Sequence, residues 1–391
     1  MQVKVLFLSH DNDLKGAERC LLELVTHLDL NRFKPLIVLP WRGPMEEKLK
    51  QENVYYMVRF LDRWIPSRHR ASWNHPFKYL PGLRNRLWSL LSLIEREKID
   101  LVYTNTSTIL EGALAARRAG IPHVWHIHEH LRGNADLRCY FPTTWIDRIT
   151  LSLSDRIITP SKALADNRFH GSEKVRTVSN GVNLAAFRSG DGKRVYMELG
   201  IPQNASLVTF VGGISKRKSP IDFARAAVMI HRQRPDVHFL LAGSTNDPVL
   251  EKNIRDLLKQ ARLNDCFHIL GFRSDVANLL AAAKVHVSTS LQESFGLTLI
   301  EAMASYKPVV ATRCGGPEEV VADEETGFIV EPKNPQAIAE AMLKLLNQPD
   351  LARRFGEAGR LRVEKEFTVE TYAHQISEII EEAIRTYERP T

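Results

Sequence analysis

Short runs that are almost wholly apolar recur along the chain. Most are followed by a segment whose apolar positions return every three or four residues. The runs Val3–Ser9, PLIVLP (35–40), DLVYTN (100–105), Ser206–Val211, VHFLLAGS (237–244), CFHILGF (266–272), AKVHVSTS (283–290) and KPVVAT (307–312) are short and rich in β-branched and other apolar residues. That pattern predicts strands of a parallel sheet covered on both faces. Between them, 17–28, 109–119, 275–282 and the stretch from Leu299 have helical spacing, and 368–389 predicts a terminal amphipathic helix stopped by Pro390. HVWHIHEH (123–130) predicts a strand running into a loop, and VRTVSNGVN (175–183) a strand ending in an Asn-Gly turn. Alternating strand and helix predicts an α/β fold. The pattern restarts after FRSGDGKR (187–194), which reads as a linker between two domains.

Composition narrows the class. A chain of 391 residues exceeds one typical domain, and 44% hydrophobic with 25% charged residues suits an ordinary globular protein rather than a disordered or fibrous one. Cys20, Cys139, Cys266 and Cys314 lack CxxC or metal-like spacing, which favours free thiols in a reducing, cytoplasmic setting. No apolar run approaches the ~20 residues that span a bilayer, and the first run is too short for a signal peptide, so it reads as a buried strand. The net charge of +7 favours an anionic partner, and without a nucleic-acid motif that partner is a nucleotide or an anionic lipid surface. Residues 59–90 carry Arg59, Arg63, Arg68, Arg70, Lys78, Arg84 and Arg86 against Asp62 alone, among Trp64, Trp73, Phe77, Tyr79 and Trp88. Such a mixture suits peripheral contact with the inner face of an anionic membrane; a loop plus a core helix is the alternative.

The loop after the first strand has only Gly16, so the dinucleotide fingerprint is absent and a nicotinamide enzyme is not expected. Asp11 and Asp13 stand in the wrong context for a metal, and the four histidines of HVWHIHEH lack a further ligand cluster, so no metal is expected.

The chemistry concentrates in ESFGLTLIE, where seven residues separate Glu293 from Glu301. A strand precedes it and helical spacing follows, so Glu293 falls on a strand-to-helix loop and Ser294, Phe295, Gly296 and Leu297 at the helix start. Unpaired amides there carry partial positive charge and suit an anion, and Gly296 permits close backbone approach. Carboxylates accept sugar hydroxyls; a capping carboxylate on a solvated helix face is the bland alternative.

This stretch resembles the Glu-x7-Glu signature of glycosyltransferase family 4, retaining enzymes of the GT-B fold. LGF (270–272), ESFGLTLIEAMASYKPVVAT, GGPEEV (315–320) and TGFIVEP (326–332) follow that family's order. The resemblance implies two Rossmann-like domains facing a cleft, with a C-terminal helix crossing back to the first. The N-terminal acceptor domain would span 1–187 plus 371–391, and the donor domain 188–370. It implies that Gly16 and Gly212 lie against donor phosphates, that Lys218 grips the diphosphate, and that the backbone at Gly271 and Phe272 meets the base. Glu293 would hold the donor sugar, Glu301 the ribose, and His128 would touch the sugar near the reacting centre, with His126 as fallback and Glu129 facing the acceptor. Gly213 stands where the family has an arginine, which leaves Lys216 or Arg217 to replace it.

The reading is a retaining, metal-independent glycosyltransferase without cofactor, using a nucleotide-diphosphate sugar, UDP favoured, and a glycan or lipid-linked acceptor in envelope or exopolysaccharide synthesis. A nucleotide-sugar 2-epimerase of the same fold, or a non-catalytic subunit that binds sugar nucleotide, are the alternatives.

Overall fold

The computed structural model describes residues 2–245 and 247–388. Arg389, Pro390 and Thr391, expected in and after the last helix, lie outside the described residues. The chain divides into two units, one running to Gly181 and resuming at Val369, the other spanning Val182–Thr368.

The first unit is built on β1 (Val3–Leu8), β2 (Phe33–Leu39), β3 (Tyr56–Val58), β4 (Leu101–Thr104), β5 (His123–His126), β6 (Arg156–Thr159) and β7 (Val175–Thr177). All pair in parallel, in the order β3-β2-β1-β4-β5-β6-β7. Parallel neighbours need crossover connections, which place helices on both faces, and this accounts for β1 being apolar on both sides. Leu6 and Leu8 pack with Leu90, Leu93 and Ile94 of the helix His75–Glu97 on one face. On the other, Phe7 lies against Tyr103, with ring centroids 5.0 Å apart.

The last helix, Val369–Arg385, covers that second face. Tyr372, Ile376, Ile380 and Ala383 are buried at helical spacing, and the Tyr372 ring lies 6.2 Å from that of His126. Arg32 meets Glu381 at 2.6 Å, and Arg156 and Arg176 meet Glu382 at 3.1 and 2.6 Å. The C-terminal helix is therefore part of the first unit.

The second unit contains β8 (Ser206–Val211), β9 (Val237–Ala242), β10 (Phe267–Gly271), β11 (Val285–Ser288), β12 (Val309–Thr312) and β13 (Gly327–Val330). They are parallel, in the order β10-β9-β8-β11-β12-β13. Val208 and Phe210 face a core with Phe223, Phe239 and Ile254, while Leu207 on the other face packs with Val195, Leu240 and Leu279.

The boundary differs from the one at 187/188. Val182 and Phe187 pack with Leu280, Phe295 and Leu299 in the second unit's core, and Val182 donates to Phe367 O at 2.9 Å. Nor is FRSGDGKR an open linker: helices Leu184–Arg188 and Gly192–Leu199 occupy most of it. A Cβ at Gly190 would fall 2.3 Å from Ala277 O, so this segment runs pressed against the helix Val276–Ala282. Glycine and polar residues here mark close backbone packing, which composition does not separate from a linker.

Candidate functional site

In each sheet the strand order reverses once, between β1 and β4 and between β8 and β11. Loops leaving the carboxyl ends of such a pair diverge and open a crevice, where ligands of open α/β sheets gather.

In the second unit these loops follow β8 and β11. Thr289 Oγ1 donates to Lys218 O and Ser219 O at 3.2 and 2.9 Å, and Leu291 N donates to Arg217 O at 2.7 Å. The stitching brings Lys218 Nζ into a hydrogen-bonded ion pair with Glu293 Oε2. Arg217 Nη1 lies 3.5 Å from the same oxygen and donates to Gln292 O at 3.2 Å, and Ser290 Oγ stands 3.5 Å away. Lys216 is exposed to solvent, so of the two basic residues able to replace the arginine missing at Gly213, Arg217 is the one beside Glu293.

Backbone contacts hold Glu293 in place. Its amide donates to Cys314 O at 3.3 Å and its carbonyl accepts from Gly316 N at 2.9 Å. Gly316 permits that approach, since a Cβ would lie 2.3 Å from Phe295 N. Burial, and then the Glu293 carboxylate, push the Cys314 thiol up to about 12, so it stays protonated.

The helix spans Leu297–Ala304, so Ser294, Phe295 and Gly296 precede it rather than open it. Gly296 turns the chain at φ 109°, in the region that favours glycine. The Phe295 side chain is buried and packs edge-on against Phe367, so it anchors the loop and leaves only its backbone for a ligand. Glu301 is 1% exposed, on the buried side of the same helix. Gly212 N donates to Ala242 O at 2.8 Å, and Gly243 N to Gly271 O at 2.7 Å. Gly271 ends β10 at φ 68°, two strands from β8, and Phe272 beyond it is exposed. The structure thus gathers Arg217, Lys218 and Glu293 closely and sets Gly271 and Phe272 apart from them. Ser290 and Gln292 join the cluster without having been singled out; only their place after a strand could have drawn attention to them.

The first unit's reversal point holds a second polar cluster. His128 Nε2 lies 3.0 Å from Asn105 Oδ1, and burial lowers its pKa to about 4, so the imidazole is neutral. Glu129 accepts from Thr106 Oγ1, Ser107 N and Ser107 Oγ at 2.7, 3.1 and 2.9 Å. Burial pushes Glu129 up, but His10, His128 and these donors outweigh it and leave its pKa lowered. Its carboxylate is engaged in bracing the loop after β4.

His126 is enclosed in the fold, bonded through Nδ1 to Tyr103 OH at 2.7 Å, which makes it a core histidine. Asp11 receives Arg63 Nη2 at 2.6 Å. His10 and Glu18, which sequence reading passed over, approach within 3.2 Å. Burial raises Glu18 to about 8 and lowers His10 to about 3. Gly16 is the exposed first residue of the helix Gly16–Thr26. Among the described residues no group of three or more His, Cys, Asp or Glu side chains is placed to hold a metal ion.

Comparison with known proteins matches the same two halves. Residues 14–186 match the family model described as Glycosyltransferase Family 4, and residues 196–362 the one described as Glycosyl transferases group 1. The alpha-maltose-1-phosphate synthase of Mycolicibacterium smegmatis is 32% identical over 340 residues, 78% of this chain and 86% of that protein. An Escherichia coli UDP-Gal:alpha-D-GlcNAc-diphosphoundecaprenol alpha-1,3-galactosyltransferase is 28% identical, with 85% of each chain covered. Among solved structures, Anabaena HepE in complex with UDP and glucose superposes with a TM-score of 0.83 at 24% identity, covering 97% of this chain and all of that one. Two parallel-sheet Rossmann-like units fit the GT-B class. This chain belongs to the family 4, group 1 glycosyltransferases and is an enzyme of that kind.

Proposed function

We propose that the enzyme transfers a sugar, with retention of configuration, from a nucleotide-diphosphate sugar to a glycan or lipid-linked acceptor. The observation that carries this is the meeting of Lys218 and Arg217 with Glu293 at the strand-order reversal of the second unit. Two cations beside a helix start can take up the charge that develops on a departing diphosphate, in place of a metal. The amides of Ser294–Leu297 add to that stabilisation. Once Lys218 and Arg217 turn to the phosphates, Glu293 is released to accept donor-sugar hydroxyls. Glu301 takes the ribose hydroxyls, Gly212 and Gly213 let the diphosphate approach β8, and Gly271 and Phe272 border the base.

In the proposed step the bond from the anomeric carbon to phosphate oxygen breaks as the acceptor oxygen attacks the same face. The leaving phosphate oxygen takes the acceptor's proton, so no second carboxylate at glycosidase spacing is required. His128, neutral and braced by Asn105, is the first unit's contributor on the acceptor side.

UDP is the favoured nucleotide. The support is the donor in the name of the Escherichia coli relative and the UDP in the HepE complex. A thermal-shift panel of UDP-, GDP- and ADP-sugars tests it, because a ligand of the folded state raises stability as RT ln(1 + [L]/Kd). A UDP-sugar should give the largest shift; a larger shift with a GDP- or ADP-sugar would reassign the donor.

The lipid-linked acceptor and an inner-membrane location rest on the surface of the helix His75–Glu97. Phe77, Leu80, Arg84 and Trp88 form an exposed stripe, with Phe77 72% and Trp88 59% exposed, and Trp73 just before it is 84% exposed. The stripe is smaller than the sequence indicated. Arg63 pairs with Asp11, Arg59 donates to Ser89 Oγ, Arg86 is buried against Glu111, and Trp64 and Tyr79 are in the core. Arg68, Arg70, Lys78 and Arg84 remain outside. Among the described residues no helix is long and apolar enough to cross a membrane.

A further inference from the structure

At the amino edge of the second sheet, the opposite end of the strands from Glu293, there is an open cavity of about 580 Å³. Its walls include Lys193, Lys284 and Lys307. Lys284 immediately precedes β11 and Lys307 comes two residues before β12. The floor is made by the close packing of the segment from Gly190: a Cβ at Gly192 would fall 2.8 Å from Ala282 N, so bare backbone lies on the helix Val276–Ala282. The one carboxylate in the wall, Asp191, caps the next helix by accepting from Lys193 N at 3.0 Å and Arg194 N at 3.4 Å.

Among the described residues none of the three lysines has a carboxylate within ion-pair distance. Lys307 Nζ donates to Ala281 O at 2.9 Å, which uses one of its three protons. Burial, and then the Lys284 ammonium, lower Lys307 to about 8. Two ammoniums close enough to oppose each other's charge stay together at a cost that a bound dianion would reverse. The volume exceeds that of a phosphate ion and falls within the range of small-molecule sites.

We propose that this cavity is a second ligand site, which takes a small soluble phosphomonoester of sugar-phosphate size through Lys193, Lys284 and Lys307. It is separate from the donor site and does not depend on the donor assignment. Its strands β11 and β12 run from this cavity to the loops that hold Glu293 and Gly316.

The test is labelling of the full chain with substoichiometric pyridoxal 5′-phosphate, borohydride trapping, and peptide mapping by mass spectrometry. Lys307 should be modified ahead of exposed lysines such as Lys252, and ahead of its own labelling by pyridoxal, which lacks the phosphate. A hexose 6-phosphate should protect it at lower concentration than inorganic phosphate. Lys284→Ala, at an exposed position, should reduce its labelling about tenfold, as expected for loss of one charge-assisted contact. Equal labelling by pyridoxal, failure of both phosphates to protect, or protection by phosphatidic acid vesicles alone would overturn the proposal.

Discussion

Lys218 and Glu293 satisfy each other in the structure, so neither should be needed for the fold as much as for the reaction. Lys218→Ala and Glu293→Gln are each expected to lower transfer by about 10²–10³-fold, the scale of losing one group aimed at developing charge, with the circular dichroism spectrum unchanged. Arg217→Ala should give a smaller loss, because its guanidinium is farther from the shared oxygen. Steady-state rates for the three variants check this, and near-normal turnover in all of them would reject the site. Gly316 behaves differently. A Cβ there would overlap Phe295 N, so Gly316→Ala should cost about 3 kcal/mol in urea unfolding through forced backbone movement. An unchanged midpoint would show that the loop has room it does not display.

At the level of elements, the helix His75–Glu97 serves two purposes. Its inner side holds Arg86, which donates to Glu111 Oε1 at 2.6 Å and to Tyr79 O at 3.0 Å, with its guanidinium 4.6 Å from the Tyr79 ring. Arg86→Ala leaves a buried carboxylate unpaired and should destabilise the first unit by about 3–5 kcal/mol, measurable by chemical denaturation. The outer stripe carries no such burden. Phe77→Ser with Trp88→Ser should leave stability within about 0.5 kcal/mol and abolish cosedimentation with anionic vesicles at low salt. Retained binding in the double variant would move the membrane contact elsewhere.

This helix also marks the limit of sequence reading. Charge and aromatic content suggest membrane contact, with a loop plus a core helix as the alternative, but helical spacing alone does not assign Arg86 inward and Arg84 outward. That assignment depends on Glu111, which is distant in sequence and buried beneath them. Most strands were legible because sheets covered on both faces demand unbroken apolar runs; the short edge strands β3 and β13, with only one neighbour each, were not. The start of the helix at Leu297 was not, because Ser294 and Phe295 are ordinary helix residues held outside it by Gly296 and Gly316. The linker reading failed for a related reason: Gly190 and Gly192 are small to let backbone meet backbone, and composition does not separate that from flexibility.

For the whole molecule, buried histidines set the response to acid. Burial lowers His10, His123 and His286 to about 3 and His128 to about 4. Unfolded histidines titrate near 6.5, so between about 4 and 6.5 the unfolded chain binds more protons than the folded one, and stability must rise with pH. Glu18, raised to about 8, acts oppositely, since its unfolded form loses a proton first above about 4.5. His126, His238 and His268 are lowered as well, and the lowered histidines outnumber the raised carboxylates Glu18, Glu111 and Asp155, which predicts a Tm that falls from pH 6.5 to pH 4.5. A flat profile would mean that these imidazoles are charged in the native state.

In the proposed reaction the loops after β8 and β11 hold the donor's diphosphate. Isothermal titration of the wild-type chain, Lys218→Ala and Glu293→Gln with UDP separates the roles most directly. Lys218→Ala should bind UDP about tenfold or more weakly, through the loss of a charge-assisted contact to phosphate. Glu293→Gln should bind UDP as tightly as wild type or more tightly, because Lys218 is released while the sugar contact is not used. Wild-type affinity in Lys218→Ala, or loss of UDP binding in Glu293→Gln with the fold intact, would contradict that placement of the diphosphate.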